Sequence, residues 1–244
     1  MHPLARPRFL TAEWRKLIMA QYKVVPEVLA PYLPAGVELD LYAGRCFVSL
    51  VGFLFDRVRV KGLAFPCHTR FPEVNLRFYV KRTELNGELR RGVVFVNEFV
   101  PRRAIALIAK RFYEEPYVAM PMGYSIAERE GALAVNFRWH MARRKHVVSA
   151  AADAQPVAIQ PGSLEEFITE HYWGYTKRTD GSTSVYQVEH PRWQVYPVHA
   201  CTVECDFAAV YGERWEFLNR TQPAHVLLAE GSPVTVYGGA PLRA

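Results

Sequence analysis

The sequence predicts an α+β fold that is mostly β, with many antiparallel strands and two main helices in a single domain over residues 1–244. Three observations carry this. Most apolar segments alternate or run for strand length between turn residues, and only two hold helical spacing over several turns. Aromatic residues are abundant, with 14 Phe, 13 Tyr and 5 Trp, which favours strands or a ring-lined pocket over a helical bundle. No repeat, low-complexity tract or linker divides a chain that is half hydrophobic.

Residues 13–24 (EWRKLIMAQYKV) fit a strand or a short helix, because Leu17, Ile18 and Met19 are contiguous. Pro26 opens a short helix to about Tyr32 that stops at Pro34-Ala35-Gly36. Residues 37–41 make a short strand, and 46–55 (CFVSLVGFLF) a nearly continuous apolar one, as expected for burial on both faces. After a turn-rich loop at 62–70, residues 71–82 alternate cleanly. Val74, Leu76, Phe78 and Val80 face one way, and Glu73, Asn75, Arg77 and Tyr79 the other. That second row is either a wet outer face or the wall of an interior cavity.

Asn86-Gly87 signals a hairpin to a strand at 89–99. The first main helix follows at 103–113, where Ile105, Ile108, Ala109 and Phe112 share a face. Pro101 precedes it, and Pro116 ends it and delivers Tyr117-Val118 from its C-terminus. A hairpin about Glu130-Gly131 joins 124–127 to 132–140, and 150–155 reads as a loop. Ser163 with Glu166 forms a capping box for the second main helix, LEEFITEHYWGY, spaced on Leu164, Phe167, Ile168 and Tyr172. Tyr172 and Tyr175 on that helix either present hydroxyls to a pocket or pack in the core. Strands at 185–188 and 194–207, a helical turn at 215–218, and closing strands at 226–228 and 234–237 complete the chain. The connections are too short for a parallel sheet.

The net charge of +6 and pI of 9.2 come from scattered pairs such as Lys81-Arg82 and Arg90-Arg91, plus one run at 143–146. This is a solvated basic surface rather than a nucleic-acid footprint. Four cysteines without a C-x-x-C pair point to reduced thiols in a cytoplasmic protein. No stretch approaches a membrane span, and the N-terminus lacks a signal-peptide core, so no membrane association is expected. There is no phosphate loop, dinucleotide fingerprint or nucleophile elbow. His199, Cys201 and Cys205 would share a strand face, but their spacing is not that of a usual zinc site, and neither metal nor cofactor is expected. His190, next to Pro191, reads as a turn residue, and Cys67-His68 as loop.

Taken together, LPAGVELD, FPEVNLRFYV, PRRAIALIAKRFYEEPY, PGSLEEFITEHYWGY and HPRWQVYP make most of the chain similar to the YqjF-like family of bacterial proteins, within the acetoacetate decarboxylase-like superfamily. The resemblance implies a cone-shaped antiparallel β-barrel with an interior active site, and a strand at 13–24. The superfamily's decarboxylases carry an Asn-Arg-Glu-Tyr segment, a pocket glutamate, and a helix ending in proline and two lysines. Trp14-Arg15-Lys16-Leu17 resembles the first, Glu73 the glutamate and Pro116 the proline. Tyr117-Val118 stands where the lysine pair would be. Neither residue condenses with a ketone, so imine decarboxylation is not expected. Lys110, two turns upstream, reads as a surface residue or a stem packed beside the barrel.

What the resemblance leaves is a pocket in which Arg15 pairs with an anion, Glu73 serves as acid or base and Tyr117 donates a hydrogen bond. Asn75, Arg77, Val118 and Tyr172 are its expected ligand contacts. The structural alternative is an Arg15–Glu73 ion pair beside a packed Tyr117 ring. The expected partner is a small molecule, anionic or carbonyl-bearing, that is either transformed by acid–base chemistry or bound and sensed. Assembly into a homo-oligomer is compatible with either.

Overall fold

The computed structural model describes residues 7–103, 116–141 and 143–242, so all of the expected first helix (103–113) beyond Arg103 lies outside the described residues. β1 (Arg8–Val24) is a long strand. Pro26 starts the helix Pro26–Leu29, a 3-10 turn Ala30–Tyr32 extends it, and β2 (Glu38–Leu39) follows. β3 (Cys46–Val60), β4 (Phe71–Thr83) and β5 (Leu89–Val100) form an antiparallel meander. β6 (Tyr117–Ala119) lies parallel to β5. β7 (Met122–Arg129), β8 (Ala132–Met141) and β9 (Arg144–Asp153) make a second meander. Glu130 and Gly131 turn the first of its hairpins with φ of 51° and 79°, the left-handed pair that matches strand twist. Then come β10 (Val157–Ala158), the helix Leu164–Thr169, β11 (Trp173–Lys177), β12 (Thr183–Glu189), β13 (Gln194–Tyr196) and β14 (Val198–Glu204). The helix Phe207–Tyr211, the 3-10 segment Glu213–Arg220, β15 (His225–Tyr237) and β16 (Ala240–Pro241) end the chain.

The strand pairings close a ring. The order β15-β1-β3-β4-β5-β11-β12 returns to β15 through Val188 opposite Val236 and Glu189 opposite Thr235. Closure removes open edges, and alternation then gives every ring strand an inner and an outer face. Phe53, Tyr79, Val93, Trp193 and Leu227 pack in the inner cluster, and Phe167 and Ile168 of the Leu164–Thr169 helix pack with them. Outside, Leu50, Leu76 and Val94 share a second core with Phe137, Trp139 and Val148 of the β14-β9-β8-β7 sheet. Gly52 permits that contact, since a Cβ there would come within 2.9 Å of the Phe137 ring and of Val148.

Two bulges change which residues face inward. In β1 the register to β3 slips between Arg15 and Ile18, Lys16 has φ 55°, and Gly231 of β15 (φ 80°) sits against the Trp14 carbonyl. Ala12 and Trp14 face in before the slip, Leu17 and Met19 after it, and Ile18 and Ala20 face the outer core. In β5 the register slips opposite Leu76 and Arg77. Val94 and Val96 face the outer core before the slip and Phe99 after it, so Glu98 turns inward with Val100.

Several segments differ from the sequence reading. Residues 150–153 belong to β9 rather than a loop, with Ala150 and Ala152 packed in the outer core; alanine is a weak strand former and hides the alternation. The second helix ends at Thr169, because the Tyr172 N–H is taken by the Arg91 carbonyl and the Tyr172 carbonyl by the Val188 N–H. Tyr172 and Tyr175 are therefore not helical. Pro197 divides the expected strand at 194–207, and Asp206 caps a helix at its end by accepting from the Ala209 N–H at 3.1 Å. The two closing strands are one, bent at Gly231. Parallel pairs occur at β5–β6 and β5–β11, which the short connections read from sequence did not anticipate. Among the described residues no helix is long and apolar enough to cross a membrane.

Candidate functional site

The ring encloses a cavity of about 210 Å³ with walls from β1, β3, β4, β5, β6, β11, β12 and β15, the 164–169 helix and the 61–70 loop. Its inner surface grades from aromatic to polar along β4. Trp14, Phe55 and Phe71 form one cross-strand row. Phe53 opposite Glu73 forms the next, Asn75 opposite Glu98 the third, and Arg77 opposite Phe95 the fourth. All nine line the cavity.

Glu73 is 2 % exposed and, among the described residues, accepts hydrogen bonds from Asn75 Nδ2 at 3.0 Å and from the Tyr117 hydroxyl at 3.2 Å. Both carboxylate oxygens are thus oriented, with a phenol as the neighbouring proton carrier. Arg77 is 8 % exposed and its guanidinium reaches Met19 Sδ at 3.7 Å. No carboxylate of the described residues lies within ion-pair distance of it, and its Nε has no hydrogen-bond partner among them. Asn75 and Glu98 are each 1 % exposed.

His171, at the exit of the 164–169 helix, forms a further polar wall. Its Nε2 lies 3.1 Å from Asp40 Oδ2, which also accepts from Arg91 Nε at 2.7 Å. Burial pushes the imidazole down to about 4 in spite of the Asp40 hydrogen bond. Burial also acts to raise Asp40, but hydrogen bonds from His171 and Arg91 outweigh it and hold the carboxyl below its ordinary range. His190 lines the aromatic half, stacked on Trp193 at 4.4 Å, and burial pushes it too down to about 4.

Of the residues singled out from sequence, Glu73, Asn75, Arg77 and Tyr117 meet in this cavity, which decides the two readings of the β4 row. Arg15 does not join them. The β1 bulge turns it away from the ring interior to Glu13 at 2.8 Å and Glu230 at 3.3 Å, so the Arg15–Glu73 ion pair is not formed. Val118 faces outward at 36 % exposed. Tyr172 donates to Glu170 at 2.7 Å, and its ring lies against His190, behind the cavity wall. His199 is exposed and bonded to Asp153 at 2.7 Å. Glu98, His171 and the Trp14, Phe53 and Phe55 rings were not singled out from sequence; an acid inside the apolar run VVFVNEFV is the signal that could have marked Glu98.

Residues 11–233 match the model of the DUF2071 family, described as an uncharacterized conserved protein. The chain belongs to the DUF2071 family. This DUF2071 chain is 28 % identical to the protein YqjF of Bacillus subtilis (strain 168) over 170 residues, 67 % of the chain and 65 % of YqjF, so the match spans less than two thirds of that relative. Among solved structures it is similar to acetoacetate decarboxylase from Legionella pneumophila (TM-score 0.65, 12 % identity, 99 % of this chain and 93 % of that one). It is also similar to an acetoacetate decarboxylase-like enzyme from Sphingomonas wittichii RW1 (0.65, 12 %, 97 % and 94 %). A third is the enduracididine biosynthesis enzyme MppR complexed with pyruvate (0.64, 14 %, 98 % and 92 %). At these identities the likeness establishes the fold: α+β, mostly β, of the acetoacetate decarboxylase-like type. Among the described residues lining the DUF2071 cavity there is no lysine.

Proposed function

We propose that the cavity is the active site of an enzyme that holds a small anionic or carbonyl-bearing metabolite on Arg77 and works on it by acid–base chemistry through Glu73 and Tyr117, without an imine. The observation that carries this is Arg77. A guanidinium buried with no carboxylate partner among the described residues costs several kcal/mol, and lining a cavity it is matched by an anionic ligand. Arg77 thereby takes the part first assigned to Arg15. Glu73 accepts a proton from the bound molecule, and Tyr117 donates to an oxygen on which charge develops. MppR, of the same fold, is described in complex with pyruvate, a small keto acid of this class. A second reading, a binding or sensing protein, is favoured by Tyr117-Val118 in place of the decarboxylases' lysines and by the aromatic half of the cavity.

Binding and product formation are measured on a panel of 2-oxo and 3-oxo acids for the wild type, Glu73→Gln and Arg77→Met. Arg77→Met weakens binding about 10- to 100-fold while its unfolding midpoint holds or rises, because it removes a buried charge that has no carboxylate partner among the described residues. Unchanged affinity in Arg77→Met would sink the anion assignment. Glu73→Gln keeps binding and loses about 10²-fold or more in turnover. Ligands recovered unchanged from the wild type would leave the binding reading. Borohydride treatment with a 3-oxo acid yields no mass adduct; a trapped lysine would overturn the imine-free chemistry.

A further inference from the structure

We infer that the occupant of this cavity is an arylalkanoic acid: a carboxylate on a short arm ending in an aromatic ring. The inference rests on the anion reading of Arg77 and adds the other end of the molecule. The cavity is graded from end to end. Arg77 lies three cross-strand rows from the Trp14, Phe55 and Phe71 row, and successive rows are about 7 Å apart. The Arg77 guanidinium reaches Met19, which is in register through Val51 with Asn75, one row nearer the aromatic end, so two rows or roughly 14 Å remain, the span of a hydrogen-bonded carboxylate, a two- or three-carbon arm and a ring in contact.

The aromatic end is arranged to receive a ring. Trp14 meets Phe53 edge-on at 5.5 Å and 65°, Phe55 at 6.0 Å and 85°, and Trp193 at 6.3 Å and 69°. Phe55 stacks on Phe71 at 4.9 Å. A ligand ring entering this set finds both ring faces and ring edges, the geometry aromatic pairs prefer. Volume sets the size. A 150 Å³ apolar cavity holds benzene, so about 210 Å³ holds a ring plus a short acid arm, roughly ten non-hydrogen atoms. A bare keto acid leaves the aromatic half unfilled.

Calorimetric titration of the wild-type protein with 3-phenylpropanoate, propanoate, 3-cyclohexylpropanoate and 3-phenylpropan-1-ol tests this. The expected result is 3-phenylpropanoate binding at least tenfold tighter than propanoate or the alcohol and about threefold or more tighter than the cyclohexyl acid. Phe55→Ala brings 3-phenylpropanoate down to the affinity of propanoate. Equal binding of propanoate and 3-phenylpropanoate overturns the aryl assignment and leaves the anion site standing. Equal or tighter binding of the cyclohexyl acid also overturns it. Equal binding of the alcohol and the acid instead overturns the role of Arg77, and absence of binding by 3-phenylpropanoate overturns the inference outright.

Discussion

His171 carries a cost that pH reveals. Its side chain is wholly inside the protein, and its folded value near 4 lies below the ordinary 6.5, so folding favours the neutral ring. The stability this gives is fully present above pH 6.5 and is lost as pH falls toward 4, by about 3 kcal/mol in all. His190 adds a similar loss in the same window, and Asp40 acts only at more acid pH, below its ordinary 3.8. Urea midpoints at pH 7 and pH 4.5 fall steeply for the wild type and less for His171→Gln; equal falls would show that His171 is not what titrates. The residue was hidden in sequence because LEEFITEHYWGY reads as one helix, which gives His171 no special neighbour. Its importance comes from Asp40, 131 residues away in the chain.

At the level of elements, legibility followed regularity. β4 keeps an unbroken alternation beside β3, and its inward row Glu73, Asn75, Arg77 was readable residue by residue. β1 and β5 each carry a bulge, and one inserted residue exchanges the two faces. Counting back from inward-facing Leu17 and Met19 puts Arg15 inside, and counting forward from Val94 and Val96 puts Glu98 in the outer core. Both counts fail at the bulge. Nothing local announces either slip, and the β1 slip is accompanied by Gly231, which lies on a different strand. Its importance is testable: a Cβ there would lie 1.9 Å from the Trp14 carbonyl oxygen, at a φ of 80°. Gly231→Ala should therefore destabilise by more than about 2 kcal/mol in urea unfolding. A loss under about 1 kcal/mol, the ordinary helix or strand effect, would show that the bulge adapts.

For the whole molecule, the consequence of two cores sharing one wall is a pattern of tolerance to change. Along β4 residues 73, 75 and 77 line the cavity and residues 74, 76 and 78 pack in the outer core. A saturation library scored for abundance should give a sawtooth of period two along this strand, with the inward positions permissive. In β1 the sawtooth should reverse phase across Lys16, and in β5 between Val96 and Glu98. A sawtooth keeping one phase through Lys16 would refute the bulge as described. If the reversal is seen, the cavity lining of this fold is free to drift at alternate residues while its foldability is held by the residues between them.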